Sequence, residues 1–238
     1  MIGDIIPDAP EIVGGLFVKT NELRWLGDAR IGTDRSMLPR GAHDTAAEQL
    51  MTGITVVDVG QRRFMLCTDS HRLHALVLER RGGRAVPGPG HYQHAGGRRF
   101  VRVEQLFVDR FGPMLAGLDD HRPISLRLSR WQRSNRMALP VITDPGAVIV
   151  FRRQGAEIVS PTGRHIADLD GQPLVDRRRS VTELAVRLSV LHSALDAGID
   201  TLTTTGPVAP LYGHTGRKAV VLMSCAVPSA PAAAEPAA

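Results

Sequence analysis

The chain has 238 residues, 43% of them hydrophobic and only 4% aromatic, with a formal net charge of +5. That is enough for one large domain or two ordinary ones with an aliphatic core, and it excludes global disorder. Almost all the basic charge is arginine, since Lys19 and Lys218 are the only lysines, and a basic balance suits a polyanionic partner through counterion release.

In chain order, residues 1–15 carry Pro7, Pro10, Gly14 and Gly15 and read as an irregular lead-in. Leu16-Phe17-Val18 reads as a short strand. Asn21 is an N-cap candidate for a helix reaching about Ile31, with Leu23, Arg24, Leu26 and Arg30 on it. Trp25 on that helix fits a packed or a surface position equally. Residues 32–47 are polar and loop-like, with a helical turn near 46–50. Ile54–Val59 and Arg63–Thr68 form a hairpin about Gly60-Gln61, and Leu73–Leu78 follows as a third strand. The Gly-, Pro- and Arg-rich residues 80–99 read as a loop.

Phe100–Val103 opens a second pattern. Leu106, Phe107, Phe111, Met114, Leu115 and Leu118 recur at helical spacing, with Gly112-Pro113 set to kink or restart that helix. Ile124–Leu128 alternates as a strand, and residues 130–146 around Trp131 are ambiguous. Val148–Phe151 and Glu157–Val159 form a hairpin turning at Gln154-Gly155, and Ile166–Leu169 adds a strand. In the third pattern, Ser180-Val181-Thr182-Glu183 reads as a capping box. Val181, Leu184, Leu188, Leu191 and Leu195 continue it as one buried helix face, ending at Gly198. Strands follow at Thr201–Thr204 and Lys218–Met223, and residues 228–238 form a Pro/Ala-rich tail expected to be disordered. The chain thus repeats strand, arginine-bearing helix and antiparallel strands three times.

Cys67 and Cys225 are far apart, and the N-terminus lacks the basic and apolar run that export requires. No apolar stretch approaches the roughly 20 residues of a membrane span. These features predict a cytoplasmic protein with reduced thiols and no membrane partner.

Phe64-Met65-Leu66-Cys67-Thr68-Asp69-Ser70-His71-Arg72-Leu73 resembles the Thr-Asp-Gly-His-Arg-Leu stretch of the bacterial DNA polymerase III β subunit, the sliding clamp, with Ser70 in place of glycine. Thr52-Gly53-Ile54-Thr55-Val56 resembles the strand start upstream. Leu169-Asp170-Gly171-Gln172-Pro173 is similar to the Asp-Gly-X-Phe-Pro that closes the same clamp domain. Val220–Val227 resembles the last strand, and Gly206–Pro210 the loop ahead of it.

The resemblance implies an α+β DNA-clamp fold, with helices packed on antiparallel sheet and turned towards a central hole. It assigns 16–176 to a clamp-like domain and 177–227 to a partial unit. It implies a non-enzymatic processivity factor, nucleoid-associated and without cofactor or metal, that encircles duplex DNA as a homo-oligomeric ring. DNA polymerase and clamp loader would dock through short linear motifs. Arg24, Arg30, Arg102, Arg110 and Arg187 would face phosphates without base readout, as sliding requires. The docking pocket would be walled by Thr68, His71, Arg72, Leu73, Val221, Met223, Ser224 and Cys225. Ser224, Cys225 and Ala226 stand where the family carries proline, methionine and arginine, which alters that edge. Rings of the family close with twelve helix-containing units. Three units per chain would make a tetramer; a fourth around 130–146 would make a trimer. The alternatives are a clamp-derived peptide-binding module that closes no ring, and an unrelated α+β enzyme.

The enzyme alternative rests on Cys67, Asp69, His71 and His74, which lie within eight residues. Strand parity sets His74 apart from the others, and no second Cys/His pair at zinc-site spacing accompanies them. Neither Cys67 nor Cys225 has a visible activating partner in His71 or His192. Arg81-Gly82-Gly83 lacks the lysine and serine of a P-loop.

Overall fold

The computed structural model describes residues 5–6, 22, 25–26, 54–69, 71–78, 88–94, 100–103, 108–135, 139, 144, 146–176 and 181–228. The readings at 16–18, 32–50 and 229–238 lie outside them. The chain divides into two compact units. One comprises 1–120 and 214–221, the other 121–213 and 222–238. The boundary expected at 176/177 falls within the second unit.

In the first unit, strand β1 (Ile5–Ile6) is followed by helical residues Glu22, Trp25 and Leu26. Then come β2 (Ile54–Val59), β3 (Arg62–Thr68), β4 (Arg72–Leu78), β5 (Gly90–His94) and β6 (Phe100–Val103). They lie in the sheet order β1-β6-β5-β2-β3-β4, with every neighbouring pair antiparallel. Val56, Val57, Phe64, Met65, Leu66, Leu73, Ala75 and Leu76 bury the centre of this sheet. β5 corrects the expectation of a continuous loop over 80–99. Its composition is polar, but it pairs with β2 on one side and β6 on the other, and two ladders outweigh weak strand propensity. Helix α1 (Val108–Ala116) contains Pro113, so of the kink or restart expected there the helix does not restart, and it ends in a 3₁₀ turn at Gly117–Asp119.

The second unit opens with β7 (Ile124–Arg127), which passes directly into helix α2 (Leu128–Ser134). This helix occupies the start of the ambiguous stretch. A four-stranded sheet, β10-β9-β8-β12, is made by β8 (Val148–Arg152), β9 (Gly155–Val159), β10 (His165–Leu169) and β12 (Glu183–Arg187). β11 (Leu174–Asp176) and β13 (Thr201–Thr204) flank β7, and β13 also pairs with β14 (Leu211–Thr215). Phe151, Ile149, Ile158, Leu126, Leu128, Leu184, Leu191 and Leu202 form the fully buried core, with Trp131 edge-on to Phe151 at 5.3 Å.

The capping box does not start a helix. Glu183–Arg187 is strand β12, paired with β8 from Glu183↔Arg152 to Arg187↔Val148. Leu184, Ala185 and Val186 are buried in succession, and a ladder partner for each outweighs a local cap. Helix α3 (Leu188–Ala197) begins about two turns later, with Arg187 at its N-cap and no side-chain cap bond. Its C-terminus is as expected. Gly198 has φ 74°, and the Gly198 and Ile199 amides donate to Leu195 O and Ala194 O, each at 3.0 Å.

The strand-to-helix junction is a repeat that the sequence also carries. Arg127-Leu128-Ser129 and Arg187-Leu188-Ser189 each end a strand with an exposed arginine, bury the leucine and expose the serine. The leucine amides donate to Asp200 O and Ala147 O, both at 2.8 Å. β15 (Lys218–Leu222) then lies beside β4 of the first unit. Val77 N–H donates to Arg217 O at 2.8 Å, placing the start of β15 at the end of β4.

Candidate functional site

The Thr68–Leu73 segment is the tight connection between β3 and β4, and its chemistry is that of a turn. Asp69 Oδ1 accepts from the His71 amide at 3.0 Å and the Arg72 amide at 2.9 Å. Asp69 Oδ2 accepts from Arg72 Nε at 2.9 Å. Thr68 Oγ1 donates to Arg72 O at 2.8 Å. One carboxylate thus satisfies two turn amides and fixes the arginine. His71 is exposed, Arg72 half-buried and Thr68 buried. Leu73 and Val221 are each 2% exposed and belong to the core.

The turn also corrects the parity argument about His74. Cys67 and His74 lie on different strands and are register partners, so their side chains share a face. His74 is engaged elsewhere: its Nδ1 is 2.6 Å from Trp25 O, and its ring stacks on Trp25 at 4.3 Å and 5°. A carbonyl acceptor requires the proton on Nδ1, which leaves Nε2 buried without a hydrogen-bond partner. Burial lowers its pKa to about 4, opposed by the bond to Trp25. Trp25 is therefore a packed residue, with Lys218 Nζ 5.0 Å from its ring centroid. Burial pushes the Cys225 thiol up, with Arg187 partly opposing, which reduces its thiolate fraction.

Among the described residues, the His/acid group whose ligand atoms converge within 4.8 Å is Glu157, His165 and Asp168. It does not include the Cys67 cluster. Glu157 is engaged by Arg152, and His165 Nε2 lies 3.1 Å from Asp168 Oδ1.

The five arginines expected to face DNA are placed unequally. Arg24 and Arg30 lie outside the described residues. Arg102 is on strand β6 rather than a helix, and Arg110 is in the first turn of α1. Arg187 is exposed at the junction of β12 and α3. The sequence reading missed Arg130 and Arg133. Both are exposed on α2, beside exposed Ser129, Gln132 and Ser134, while Leu128 and Trp131 face the core. No acidic residue lies on this helix. The signal was present: Arg127, Arg130 and Arg133 recur every third position around two apolar residues.

At the C-terminal edge, the Cys225 amide donates to Ala185 O at 2.9 Å and forms an isolated bridge with β12. Cys225 and Val227 pack on Val148, Val150, Val159 and Ala185. Ser224 Oγ donates to Ala209 O at 3.0 Å, and Met223 is 39% exposed. The Asp170-Gly171 turn is held by Asn135, whose Nδ2 donates to Asp170 O and whose Oδ1 accepts from the Asp170 amide, both at 2.8 Å. The signature positions are thus explained individually by turn and edge bonding.

No family model and no curated protein matches the sequence. Solved structures do match. The β subunit of DNA polymerase from Streptococcus pyogenes aligns with TM-score 0.51 and 12% identity, over 94% of this chain and 65% of that one. The Caulobacter crescentus β sliding clamp aligns with TM-score 0.51 and 14% identity, over 88% and 65%. The Bartonella birtlesii sliding clamp bound to griselimycin aligns with TM-score 0.50 and 15% identity, over 87% and 64%. The chain therefore spans about two thirds of the length of the clamps it matches. With its antiparallel sheets, helices packed on them and repeated strand-to-helix junctions, the chain has the DNA-clamp fold of the DNA polymerase III β subunits.

Proposed function

We propose that this chain is a non-enzymatic sliding-clamp-like processivity factor that encircles duplex DNA and tethers a polymerase and clamp loader through short peptide motifs. The observation that carries this reading is the clamp fold across nearly the whole chain. The basic balance supports a phosphate partner. The exposed arginines of α2, with Arg127 and Arg187 at the repeated junctions, supply mobile contacts without base readout. Arg110 joins them from α1.

Docking is assigned to the Thr68–Leu73 turn and the Val221–Cys225 edge. His71 and Arg72 in the first unit and Met223 and Ser224 in the second each offer accessible groups, whereas Leu73 and Val221 belong to the first unit's core. A polymerase C-terminal peptide is a suitable probe for this surface.

The reading assigns a homotrimer. Among the described residues, helical structure falls in four places: at Glu22, Trp25 and Leu26, and in α1, α2 and α3. α2 supplies the fourth unit that the sequence reading left open, so twelve units close with three chains. Native mass measurement tests this. A species of three times the 25.8 kDa chain mass is expected. A monomer at all concentrations, with peptide binding intact, would favour a docking module that closes no ring.

A further inference from the structure

The β9–β10 hairpin of the second unit carries a side-chain cluster that the clamp reading does not use. Glu157 on β9 and Asp168 on β10 are register partners. Two carboxylates thus stand directly opposite each other, which is destabilising across a strand pair unless a cation joins them. His165 reaches the same place through a bulge. Residues three apart on a regular strand point to opposite faces. Here the register shifts between His165 and Ala167, and His165 pairs with Val159, two residues from Glu157. All three side chains therefore share one face of the sheet. Their ligand atoms lie within 4.8 Å of one another, and His165 Nε2 is 3.1 Å from Asp168 Oδ1. Ligand atoms bound at ~2.1 Å to one tetrahedral ion stand about 3.4 Å apart, so convergence on an ion needs only small side-chain rotations.

We propose that Glu157, His165 and Asp168 form a binding site for one borderline divalent cation of the Zn²⁺ class. One imidazole with two carboxylates suits zinc, whereas Mg²⁺ and Ca²⁺ take oxygen ligands. Coordination uses the Nε2 lone pair of His165, with the ring proton on Nδ1. His165 and Asp168 are exposed and Glu157 is half-buried, so water completes the coordination. Arg152 is the competitor, because its guanidinium engages Glu157. It also lies 3.5 Å from Glu183 Oε2, so Arg152 keeps a carboxylate partner when the cation takes Glu157. β10 is the outer strand of its four-stranded sheet, and the ion clips it to β9. None of the three residues belongs to the DNA or peptide surfaces assigned above, and the proposal does not depend on the clamp reading.

The test is calorimetric titration of the full chain, stripped with chelator, with ZnCl₂ and separately with MgCl₂, alongside melting temperature. The wild type should bind Zn²⁺ at this site and melt higher with it, and Mg²⁺ should not compete. His165→Ala and Asp168→Asn should each weaken Zn²⁺ binding about tenfold or more. Neither should lower the metal-free melting temperature, because both side chains are exposed. Arg152→Ala releases Glu157 and should tighten binding severalfold. Absence of saturable Zn²⁺ binding overturns the proposal. Equal affinity in the wild type and in both ligand variants also overturns it, since the ion would then sit on other histidines. Mg²⁺ bound as tightly as Zn²⁺ would reduce the cluster to an acidic patch and overturn the assigned class. Weaker binding in Arg152→Ala, with the fold intact, would remove Glu157 from the ligand set and overturn the three-residue site.

Discussion

His74 has one ring nitrogen bonded to Trp25 O and the other buried without a partner, so a second proton has no acceptor to meet. Arg72 and Lys218 further disfavour the cation and Asp69 favours it, but desolvation dominates. The linkage has a definite sign. The folded pKa of about 4 lies below the ordinary histidine value of 6.5, so the unfolded chain binds the proton first. Stability present above pH 6.5 is lost as pH falls and levels off below about 4, by about 3 kcal/mol in total. Urea midpoints across that window check this, and His74→Phe should flatten the dependence. At the adjacent turn, Asp69→Ala removes an ion pair and two amide acceptors and should cost about 1–3 kcal/mol. Asp69→Asn should recover part of that, because the amide contacts at Oδ1 need no charge. Equal losses in the two variants would contradict this account of the turn. The turn residues were legible because their bonds are local. Trp25 was not, since its partner is 49 residues away and spacing carries no trace of it.

Helix α2 escaped sequence reading because seven residues with two apolar positions give periodicity little to work on. It emerges directly from β7, and its start is fixed by the Leu128 amide bond to Asp200 O. Its exposed face predicts a function. Arg130→Ala with Arg133→Ala should weaken DNA binding similarly across sequences and reduce the salt slope by about 2. An unchanged slope in a salt titration would remove α2 from the interface. The opposite error occurred at β12, where leucines at helical spacing belong partly to a strand and partly to α3. Glu183 there faces Arg152 in register, with 3.5 Å between carboxylate and guanidinium. Packing between β13 and β14 shows a constraint that no local pattern announces. A Cβ on Gly213 would lie 2.6 Å from Leu202 Cδ2, 2.7 Å from Ile199 Cγ2 and 3.0 Å from Thr201 O. Gly213→Ala should destabilise by about 1–3 kcal/mol in chemical denaturation; a neutral effect would mean that the strands can separate locally.

At the scale of the molecule, the clamp resemblance was legible in a few short segments because they are turns and edges whose residue types are fixed by bonding. The number of helix-bearing units was not, since α2 falls where the pattern is weakest. Of the tetramer and trimer that the sequence left open, α2 favours the trimer proposed above. A ring holds DNA by topology rather than by affinity, and this separates the proposed function from ordinary basic-protein binding, which phosphate contacts alone would provide. The most direct measurement is retention on closed circular against linearised duplex after loading, at a salt concentration that suppresses non-specific contact. The account predicts that the protein stays on circles and is lost from linear DNA through its ends. Equal retention on both would contradict it.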